Sequence, residues 1–359
     1  MGTAATVGSL RPTIVIEGQQ HPKTRELLVG LEMLEHEGGM SQAELRFTNV
    51  ASRGHGAAAF AFEDGAILKL GAALTLYAGD ADGPFEIFRG TVTGLEAHYS
   101  LKGSPELVVL AEDALQRARL ARRTKIYESI SIAELAEALA RLCGLKPVVT
   151  GFSEKIGPEV QLNESDLAFL RRLVRRYDGD LQAVGEELHV SPRGEVHRQT
   201  VALRMFEGLH SVRALADLSH QVTSVSLAGW DAAKGSRISV TSSGAVAGPG
   251  QGLTGPGALG QTPFGSRAHH LGHLEARDET EARAAADAAF DARARRFVTL
   301  EATAVGDPVI RVGTHVAIAG LGPRFDNTYY VVEARHRFGR RASGYRTEFV
   351  GECAFLGAG

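Results

Sequence analysis

Hydrophobic and polar residues alternate with a period of two over much of the first third of the chain, from residue 13 to about residue 110. In residues 41–49, Ala43, Leu45 and Phe47 fall on one face, and polar side chains fall on the other. Alternation of this kind is typical of a β-strand with one buried face. The pattern therefore predicts a strand over residues 41–49.

Further strands are predicted on both sides of it. The turn Glu37, Gly38 and Gly39 separates residues 41–49 from the apolar run 27–34, which favours a hairpin. Strands are also predicted at 73–77, 88–97 and 106–110, with Gly- and Asp-containing turns such as residues 79–83 between them. Five or more short antiparallel strands at this spacing favour a barrel or a sandwich.

The period changes to that of helices in the middle of the chain. Ser131 and Glu134 have the spacing of a capping box, and Gly144 is placed to end the helix. The apolar stripe between them consists of Ile132, Leu135, Leu139 and Leu142.

A second helix is predicted to begin at Asn163 and to end before Gly179. Its apolar stripe is Leu167, Leu170, Val174 and Tyr177, and its opposite face carries Arg171, Arg172, Arg175 and Arg176. Strands at 181–184 and 187–190 follow.

The last part begins with predicted strands at 222–230 and 237–240. The Gly/Pro-rich residues 248–265 predict a surface loop or a disordered insertion rather than a ligand-binding loop. Asp278 and Glu281 then cap an Ala-rich helix that runs to about Phe297. Its small face, which allows close packing on a sheet, is Ala282, Ala285, Ala286 and Ala289. Strands are predicted at 297–303, 309–311, 315–319, 329–335 and 344–351.

Together these patterns predict an α+β, mainly β fold with two related antiparallel β-barrels and an α/β insert. The first barrel is expected at 10–118, and the insert, with two helices and a hairpin, at 119–214. The second barrel is expected at 215–359, with a Gly/Pro-rich loop at 245–277 and the Ala-rich helix at 279–296.

Composition adds limits on partners and location. The 39 Lys and Arg residues nearly balance 42 Asp and Glu residues, so the net charge of −3 recruits neither nucleic acid nor an anionic membrane. No window approaches the roughly 20 apolar residues of a membrane span, and the N-terminus does not have the form of a signal peptide. Assembly in the cytoplasm is expected. Cys143 and Cys353 lie among apolar residues and are expected to be small buried hydrophobes rather than a disulfide.

Candidate chemistry is sparse. Glu164 and Asp166 could form the acid/base pair of a glycosidase, but carboxylates at a helix N-terminus are favoured instead, because they stabilise its free N–H groups. His269, His270 and His273 with Glu275 could ligate zinc, but they lack the HExxH order, and an exposed patch is favoured.

The basic residues are predicted to be a solvated surface. Intersubunit salt bridges are the next alternative, followed by contact with DNA or with an acidic partner. These residues are Arg117, Arg119, Arg122, Arg123, Lys125 and the four arginines of the second helix. The segment 320–322 (Gly-Leu-Gly) is expected to be a strand turn and not a phosphate cradle. No catalytic, cofactor-binding or metal-binding residue is predicted.

Four separated motifs, in order along the chain, resemble the phage late control protein D family, which includes the hub portion of type VI secretion spike proteins. They are FRGTV at 88–92, QLNESDLAFLRRL at 161–173, Gly229-Trp230-Asp231, and a closing set around Gly313, Val316, Phe325, Val332, Thr347 and Phe349. The resemblance implies structural roles for Arg89, Gly90, Asn163, Glu164, Asp166, Phe169, Leu170, Gly229, Trp230, Asp231, Gly320, Gly322, Tyr330, His336, Gly344 and Tyr345. Trp230 is expected to be a buried anchor of a turn.

The resemblance also implies a function. Hubs of this family are trimers in which two barrels per subunit form a pseudo-sixfold ring around an axial channel. Such a ring would be a symmetry adaptor between a hexameric inner tube, or a tube-initiator ring, and a trimeric spike, with baseplate wedge proteins around it. The sequence ends ten residues after Phe349. A separate spike protein is therefore expected, which favours a phage tail, a tailocin or an extracellular contractile injection system over type VI secretion. The alternatives are a tail-associated cell-wall hydrolase and a glycan-binding β protein.

Overall fold

The computed structural model describes residues 12–53, 57–78, 85–245, 247–272, 276–339 and 344–358. A thirteen-stranded β-sheet dominates it, and six strands of this sheet close into a barrel. Buried side chains of the described residues form four hydrophobic cores. We call the corresponding parts the N-terminal sheet (residues 13–112), the insert (114–195), the barrel and the side unit. The α+β, mainly β fold class is confirmed.

The N-terminal sheet is antiparallel, in the order β2-β1-β7-β8-β9-β4-β3. The elements of this part are β1 Thr13–Ile16, β2 Gln19–Gln20, α1 Pro22–Leu27, β3 Leu28–His36, β4 Ser41–Thr48, β5 Ala51–Arg53, β6 Ala57–Ala59, β7 Ala73–Ala78, β8 Phe85–His98 and β9 Glu106–Glu112. The predicted alternation is confirmed in β4, where Ala43, Leu45 and Phe47 are buried and pack in the core of this sheet. The predicted hairpin with β3 is also present. Residues 79–83, predicted as a turn, lie outside the described residues.

The insert consists of two main helices and short strands. Its elements are α2 Arg117–Leu120, β10 Arg122–Tyr127, β11 Ile130–Ser131, α3 Ile132–Cys143, β12 Lys146–Val149, β13 Lys155–Ile156, β14 Glu159–Ser165, α4 Asp166–Arg176, β15 Gly179–Val184 and β16 Glu187–Pro192. The capping box of α3 is confirmed, because Ser131 Oγ accepts from the Glu134 amide at 3.1 Å and Glu134 Oε2 accepts from the Ser131 amide at 2.9 Å. Gly144 ends the helix with a φ of 72°. Strands β15 and β16 form the predicted hairpin.

The remaining elements build the barrel and the side unit. They are β17 Thr200–Met205, β18 Gly208–Ala216, β19 Ser224–Asp231, β20 Ser236–Ser242, β21 Leu253–Thr254, α5 Gly255–Gly260, β22 Ala268–His270, α6 Glu279–Ala294, β23 Val298–Val305, β24 His315–Ala319, β25 Asn327–Gly339, β26 Gly344–Cys353 and β27 Phe355–Leu356. The barrel closes in the order β25-β24-β17-β18-β23-β26, and β26 pairs back onto β25. Strand β17 is parallel to both of its neighbours, and the other pairings are antiparallel.

The hairpin β25–β26 joins the barrel to the N-terminal sheet. Near its start β25 pairs with β24, whereas residues 333–339 pair with β3. At the far end of the hairpin, Phe338 and Tyr345 pack into the core of the N-terminal sheet. The two β units therefore share one continuous sheet rather than being separated by a linker.

The side unit is a three-stranded sheet, β20-β19-β22, covered by α6. The predicted small face of α6 is confirmed: Ala282, Ala285 and Ala286 are buried against Val225 and Val240 in its core. No helix within the described residues is both long enough and apolar enough to cross a membrane.

Three sequence predictions are corrected here. Residues 309–311 form a loop and not a strand. The predicted boundary after residue 214 falls inside β18, and β17 also belongs to the barrel, because both strands pair with barrel partners far along the chain. Residues 248–265 are not a loop without regular structure, since they contain α5 and pair with β27 through β21.

The Gly/Pro-rich segment packs on the end of the barrel because its glycines allow close approach. Gly250 has a φ of 102°, and a Cβ there would lie 2.6 Å from Cys353 Sγ. Leu259 of α5 is fully buried. Cys143 and Cys353 are both buried free thiols, as the sequence predicted.

Candidate functional site

Charged side chains from three parts of the chain meet in one buried cluster, which we call the junction. The N-terminal sheet, the insert and the barrel each contribute to it, and α6 is tied to it by the residue that follows the helix. The junction consists of Glu35, Glu37, Asp178, Asp180, Arg193, Arg295, Arg311, Tyr330 and Glu352.

Arg193 is the centre of the junction. Its side chain is 5% exposed, and its guanidinium pairs with Glu37 and donates to Glu352 Oε2 at 3.2 Å. The same group lies 3.9 Å from the centroid of the Tyr330 ring. Because these partners come from the β3–β4 turn and from two barrel strands, one side chain of the insert fixes all three parts.

Glu35 makes a second connection between the N-terminal sheet and the barrel. It is 1% exposed at the end of β3 and accepts from Arg311 Nη2 at 2.5 Å and from the Val312 amide at 2.6 Å. Burial alone would raise the pKa of Glu35, but Arg311 holds it below its usual range. Glu35 is therefore a buried carboxylate whose charge is compensated.

The turn between β3 and β4 is held by the insert. Arg171 of α4 donates from Nε to the Gly38 carbonyl and from Nη2 to the Gly39 carbonyl, both at 2.6 Å. Gln182 Nε2 donates to the His36 carbonyl at 2.8 Å. These bonds satisfy turn carbonyls that the hairpin itself leaves unpaired.

The junction also raises the pKa values of several of its acids. Burial raises the pKa of Asp180 and of Glu352, against the opposing effect of Arg198 and Arg193 respectively. Burial also raises the pKa of Tyr330. The cluster stabilises a fixed arrangement of three parts, and its acids are paired with arginines rather than exposed in an open cleft.

Sequence reasoning missed most of the junction. Of its residues, only Tyr330 belongs to the motifs that carry the family resemblance. One signal could have revealed Glu35: it occupies the inward-facing register of β3 shared by Leu31 and Met33, both buried. An acid at such a position predicts a buried partner. Arg193 lies in a one-turn 3-10 helix after β16, and Arg311 lies in the loop before β24. In segments this short no periodicity identifies a buried side chain.

The motif of the first unit lies on β8. Arg89 donates to Glu86 on its own strand and to Glu186 of the insert at 3.1 Å. A Cβ at Gly90 would lie 2.6 Å from the Phe88 ring and closer still to the Glu112 carbonyl oxygen. Glycine is thus required for the close approach of β8 and β9.

The helix of the central motif begins later than predicted. Ser165 caps α4 by accepting from the Ala168 amide at 3.2 Å, whereas Asn163 has a φ of 49° and belongs to β14. Strand pairing with β10 continues to Ser165, so it competes successfully with helix formation at the predicted start. Asp166 lies in the first helical turn as predicted, but Glu164 does not.

The carboxylates of this motif are engaged in ion pairs. Glu164 accepts from Arg172 Nε and Nη2 at 3.1 and 2.9 Å, and Asp166 pairs with Arg123 at 2.9 Å. Phe169 is buried and stacks on Tyr127, with ring centroids 5.3 Å apart. Leu170 is buried beside it.

The basic face of α4 is not simply solvated, which corrects the favoured interpretation. Arg171 bonds to the β3–β4 turn, Arg172 to Glu164, and Arg176 to Glu159. Arg175 is exposed. The helix therefore uses its charged face for contacts within the chain.

Trp230 is exposed, which contradicts the predicted buried anchor. Its side chain is 62% exposed near the end of β19. Gly229 precedes it in the strand, and Asp231 forms the turn by accepting from the Ala233 and Lys234 amides at 3.0 and 2.9 Å. Val225 and Leu227 of β19 are fully buried, whereas Trp230 has the opposite parity in the strand and therefore lies on its other face.

The closing motif forms the β24–β25 turn and the β25–β26 hairpin. Gly320 and Gly322 have φ values of 88° and 90° in the turn, as a strand turn requires. Gly344, with a φ of 79°, begins β26. His336 is fully buried, and its Nδ1 lies 2.8 Å from the Tyr345 hydroxyl. Burial lowers the pKa of His336 to about 3, with a further contribution from Arg311.

The histidines near the Gly/Pro-rich segment do not gather in the described part of the chain. His269 Nε2 lies 2.9 Å from Arg293 Nη2, and His270 Nδ1 lies 3.1 Å from Ser226 Oγ. His273 and Glu275 lie outside the described residues. Among the residues that are described, no group of three or more His, Cys, Asp or Glu side chains could hold a metal ion.

The fold is shared with solved tail proteins at low sequence identity. A 43 kDa tail protein of prophage MuSo2 from Shewanella oneidensis is 12% identical, with a TM-score of 0.67 over 95% of this chain and 98% of that one. A tail protein from Neisseria meningitidis gives 12% identity and a TM-score of 0.66, over 97% and 98% of the two chains. An Escherichia coli component of the type VI secretion system, described as similar to T4 bacteriophage tail proteins, is 13% identical. Its TM-score is 0.61, over 96% of this chain and 79% of that one.

Comparison by sequence identifies a family but no curated relative. No curated protein matches the chain. One family model matches residues 8–339, and its description is the Alg8 N-terminal domain. The matching family is therefore not the late control protein D family that the motifs resemble, although the structural neighbours are the phage tail and type VI secretion proteins that this resemblance implied.

Proposed function

The chain belongs to the Alg8 N-terminal domain family, and from the fold that it shares with tail proteins we propose that it is a structural hub of a contractile tail or injection particle. In this proposal three copies surround an axial channel. They connect a hexameric inner tube, or a tube-initiator ring, to a trimeric spike, and contact baseplate wedge proteins outside. Assembly takes place in the cytoplasm before the particle is used.

One observation carries the proposal: a single chain holds two β units, each with six principal strands, in one continuous sheet. The N-terminal sheet contributes β1, β3, β4, β7, β8 and β9 besides the two-residue β2, and the barrel contributes the remaining six of the thirteen strands. Three copies would present six β units around an axis. This is the arrangement needed to match a threefold spike to a sixfold tube.

The junction supports this role mechanically. A symmetry adaptor must keep its two β units in a fixed relation under load. Glu35 connects the two units through its ion pair with Arg311, and Arg193 connects them through Glu37 and Glu352. The β3–β25 pairing connects them through the backbone, and Arg171 fixes the insert to the β3–β4 turn. The two units would therefore move as one body when the tube is driven past them.

Exposed apolar side chains offer surfaces for subunit contacts. Phe60 and Tyr99 pack edge to face at 5.7 Å, both exposed, beside the exposed Leu101. On the insert, Ile126 and Leu162 are 66% and 68% exposed on the β10–β14 ribbon. Exposed apolar clusters of this kind mark interaction sites more often than solvated surface.

A noncatalytic role fits the paired carboxylates. Glu164 and Asp166, the candidates for glycoside cleavage, are both held by arginines. A hydrolase would be supported instead if the purified protein cleared peptidoglycan and Glu164→Gln abolished clearing. We expect no clearing by either protein.

The mass in solution tests the trimer. We expect multi-angle light scattering to give three times the chain mass of 38.2 kDa at micromolar concentration. Leu162→Asp should lower the measured mass, because it places a charge in an interface. Leu70→Asp is the matched control, since Leu70 is also exposed, at 62%, but lies in the turn before β7 and belongs to neither surface. A monomer at all concentrations, and in the presence of the spike, would count against the hub.

A further inference from the structure

A pocket of about 300 Å³ opens in the insert between β10, α3 and α4. Its floor is apolar, formed by Leu139, Leu170 and Phe169, all buried. Leu142 lies at its rim with 43% of its surface exposed. We call this cavity the β10 pocket. It has the size and lining to receive one apolar side chain.

The strand beside the pocket has one unused edge. Strand β10 pairs with β14 on one side, and the described residues make no backbone pairing on its other side. Its side chains Arg123, Lys125 and Tyr127 line the pocket. An unpaired edge presents N–H and C=O groups to an extended chain.

The same edge is strongly cationic. Arg123 pairs with Asp166, but Arg122 donates only to the Asn163 carbonyl, at 3.2 Å. Lys125 lies 4.4 Å from the centroid of the Tyr127 ring. Neither Arg122 nor Lys125 has a carboxylate partner among the residues that the structure describes. Lys125 beside the pocket and Arg122 on the opposite face of the same strand are therefore two exposed cations of β10 that lack a counter-charge.

We propose that β10 and its pocket bind an extended acidic segment of a partner protein, which adds a strand to the free edge and inserts one apolar side chain. Strand addition supplies backbone hydrogen bonds, the pocket selects the side chain, and Arg122 and Lys125 select negative charge. The proposal does not depend on the trimer or on the hub role.

Two other occupants fit the surface less well. A single-stranded nucleic acid would need aromatic faces for its bases, but Tyr127 is stacked on Phe169 and covered by Lys125. A second copy pairing through the same edge would bring the basic strands together, which like charges oppose.

The test is fluorescence anisotropy on the full chain with a synthetic probe. The probe is a fluorescein-labelled nine-residue peptide with glutamates at both ends and a central Val-Leu-Val. We expect saturable binding that weakens at least about tenfold in Lys125→Glu and in Ala138→Trp. Ala138 is exposed and lines the pocket, so its replacement fills the cavity without changing charge.

Matched controls distinguish the contributions of the strand edge, the pocket and the cationic side chains. Ala232→Trp, an exposed position in the turn after β19, should leave binding unchanged. Peptides with lysine for glutamate, with serine for leucine, or with N-methylated backbone amides should each bind at least about tenfold more weakly. Circular dichroism and thermal unfolding would verify that every variant is folded.

Three results would overturn the proposal. The first is equal binding of the glutamate and lysine peptides, or no binding of either. The second is binding of a single-stranded oligonucleotide that Lys125→Glu weakens and Ala138→Trp does not, which would identify a polyanion site. The third is concentration-dependent self-association that Ala138→Trp abolishes while the peptide does not compete, which would identify a second copy as the occupant.

Discussion

His336 is the buried group whose protonation should affect stability most clearly. It is neutral in the folded chain, because burial lowers its pKa from an ordinary 6.5 to about 3, with Arg311 adding to the effect. The groups that face it are the Tyr345 hydroxyl, the Thr347 hydroxyl, Arg311 and Glu35. Its contribution to stability is therefore complete above pH 6.5 and is lost as the pH falls towards 3.

Protonation of this histidine should therefore lower the unfolding free energy as the pH falls. Between pH 7 and pH 5 the unfolded chain takes up a proton at this histidine and the folded chain does not, which costs about 2 kcal/mol of unfolding free energy. Urea unfolding would measure the unfolding free energy of both proteins at pH 7 and pH 5. We expect the wild type to lose more of it between these pH values than His336→Gln does, by about this amount. Equal losses in both proteins would mean that His336 titrates normally in the folded state.

Trp230 provides the opposite case, an aromatic residue that matters little for folding. Because its side chain is 62% exposed, Trp230→Ala should change the unfolding free energy by no more than about 0.5 kcal/mol. Leu227→Ala on the same strand is the control. Leu227 is fully buried, so its truncation should cost about 2–5 kcal/mol. Thermal and urea unfolding would compare the two, and a loss above 2 kcal/mol for Trp230→Ala would restore the predicted role as a buried anchor.

At the residue scale, sequence position alone did not reveal burial. The family resemblance predicted a turn at residues 229–231 with Trp230 as its buried anchor, yet Asp231 forms the turn and Trp230 is exposed. In contrast, the capping residues Ser131 and Asp278 were predicted correctly, because a cap depends on groups within three residues of it. Local chemistry was predictable, and burial against distant parts of the chain was not.

At the element scale, the start of α4 shows the same limit. The run from Asn163 has helical periodicity, but β10 pairs with β14 as far as Ser165 and delays the helix. The four alanines predicted on one face of α6 were enough to place that helix on a sheet, and three of them are buried there. A helix whose contacts follow from its own periodicity is predictable, whereas a boundary set by a neighbouring strand is not.

Arg193 should be the most sensitive connection between elements. Arg193→Met removes the counter-charge of the partly buried Glu37 and leaves the buried Glu352 with only the exposed Arg296. Removing one partner of a fully buried pair costs about 3–5 kcal/mol, so we expect a loss near the lower end of that range. Adding Glu37→Gln to Arg193→Met should restore part of the loss. We expect urea unfolding to show both effects.

The matched control for this variant is Arg213→Met. Arg213 pairs with Glu301 on the barrel surface, with the two side chains 71% and 62% exposed. Exposed pairs contribute at most about 1 kcal/mol. If Arg193→Met were no more destabilising than this control, the junction would not be what holds the three parts together.

At the scale of the whole molecule, the strands were largely predictable and their closure was not. Alternation in β4, β8 and β25 identified these strands from the sequence, and the mainly β class followed. Closure of the barrel depends on β17 and β18 pairing with strands about a hundred residues away. The boundary predicted after residue 214 lies inside β18 and separates β17 from the barrel. The same long-range pairing creates the junction, which explains why its residues were missed.

In the proposed hub, three chains form a ring that presents six β units around a channel. Single-particle electron microscopy of the purified chain, alone and with its spike, tests it directly. We expect threefold-symmetric class averages with an axial hole and six lobes of density. Class averages that show only particles of one chain, or a symmetric assembly without a central channel, would contradict it.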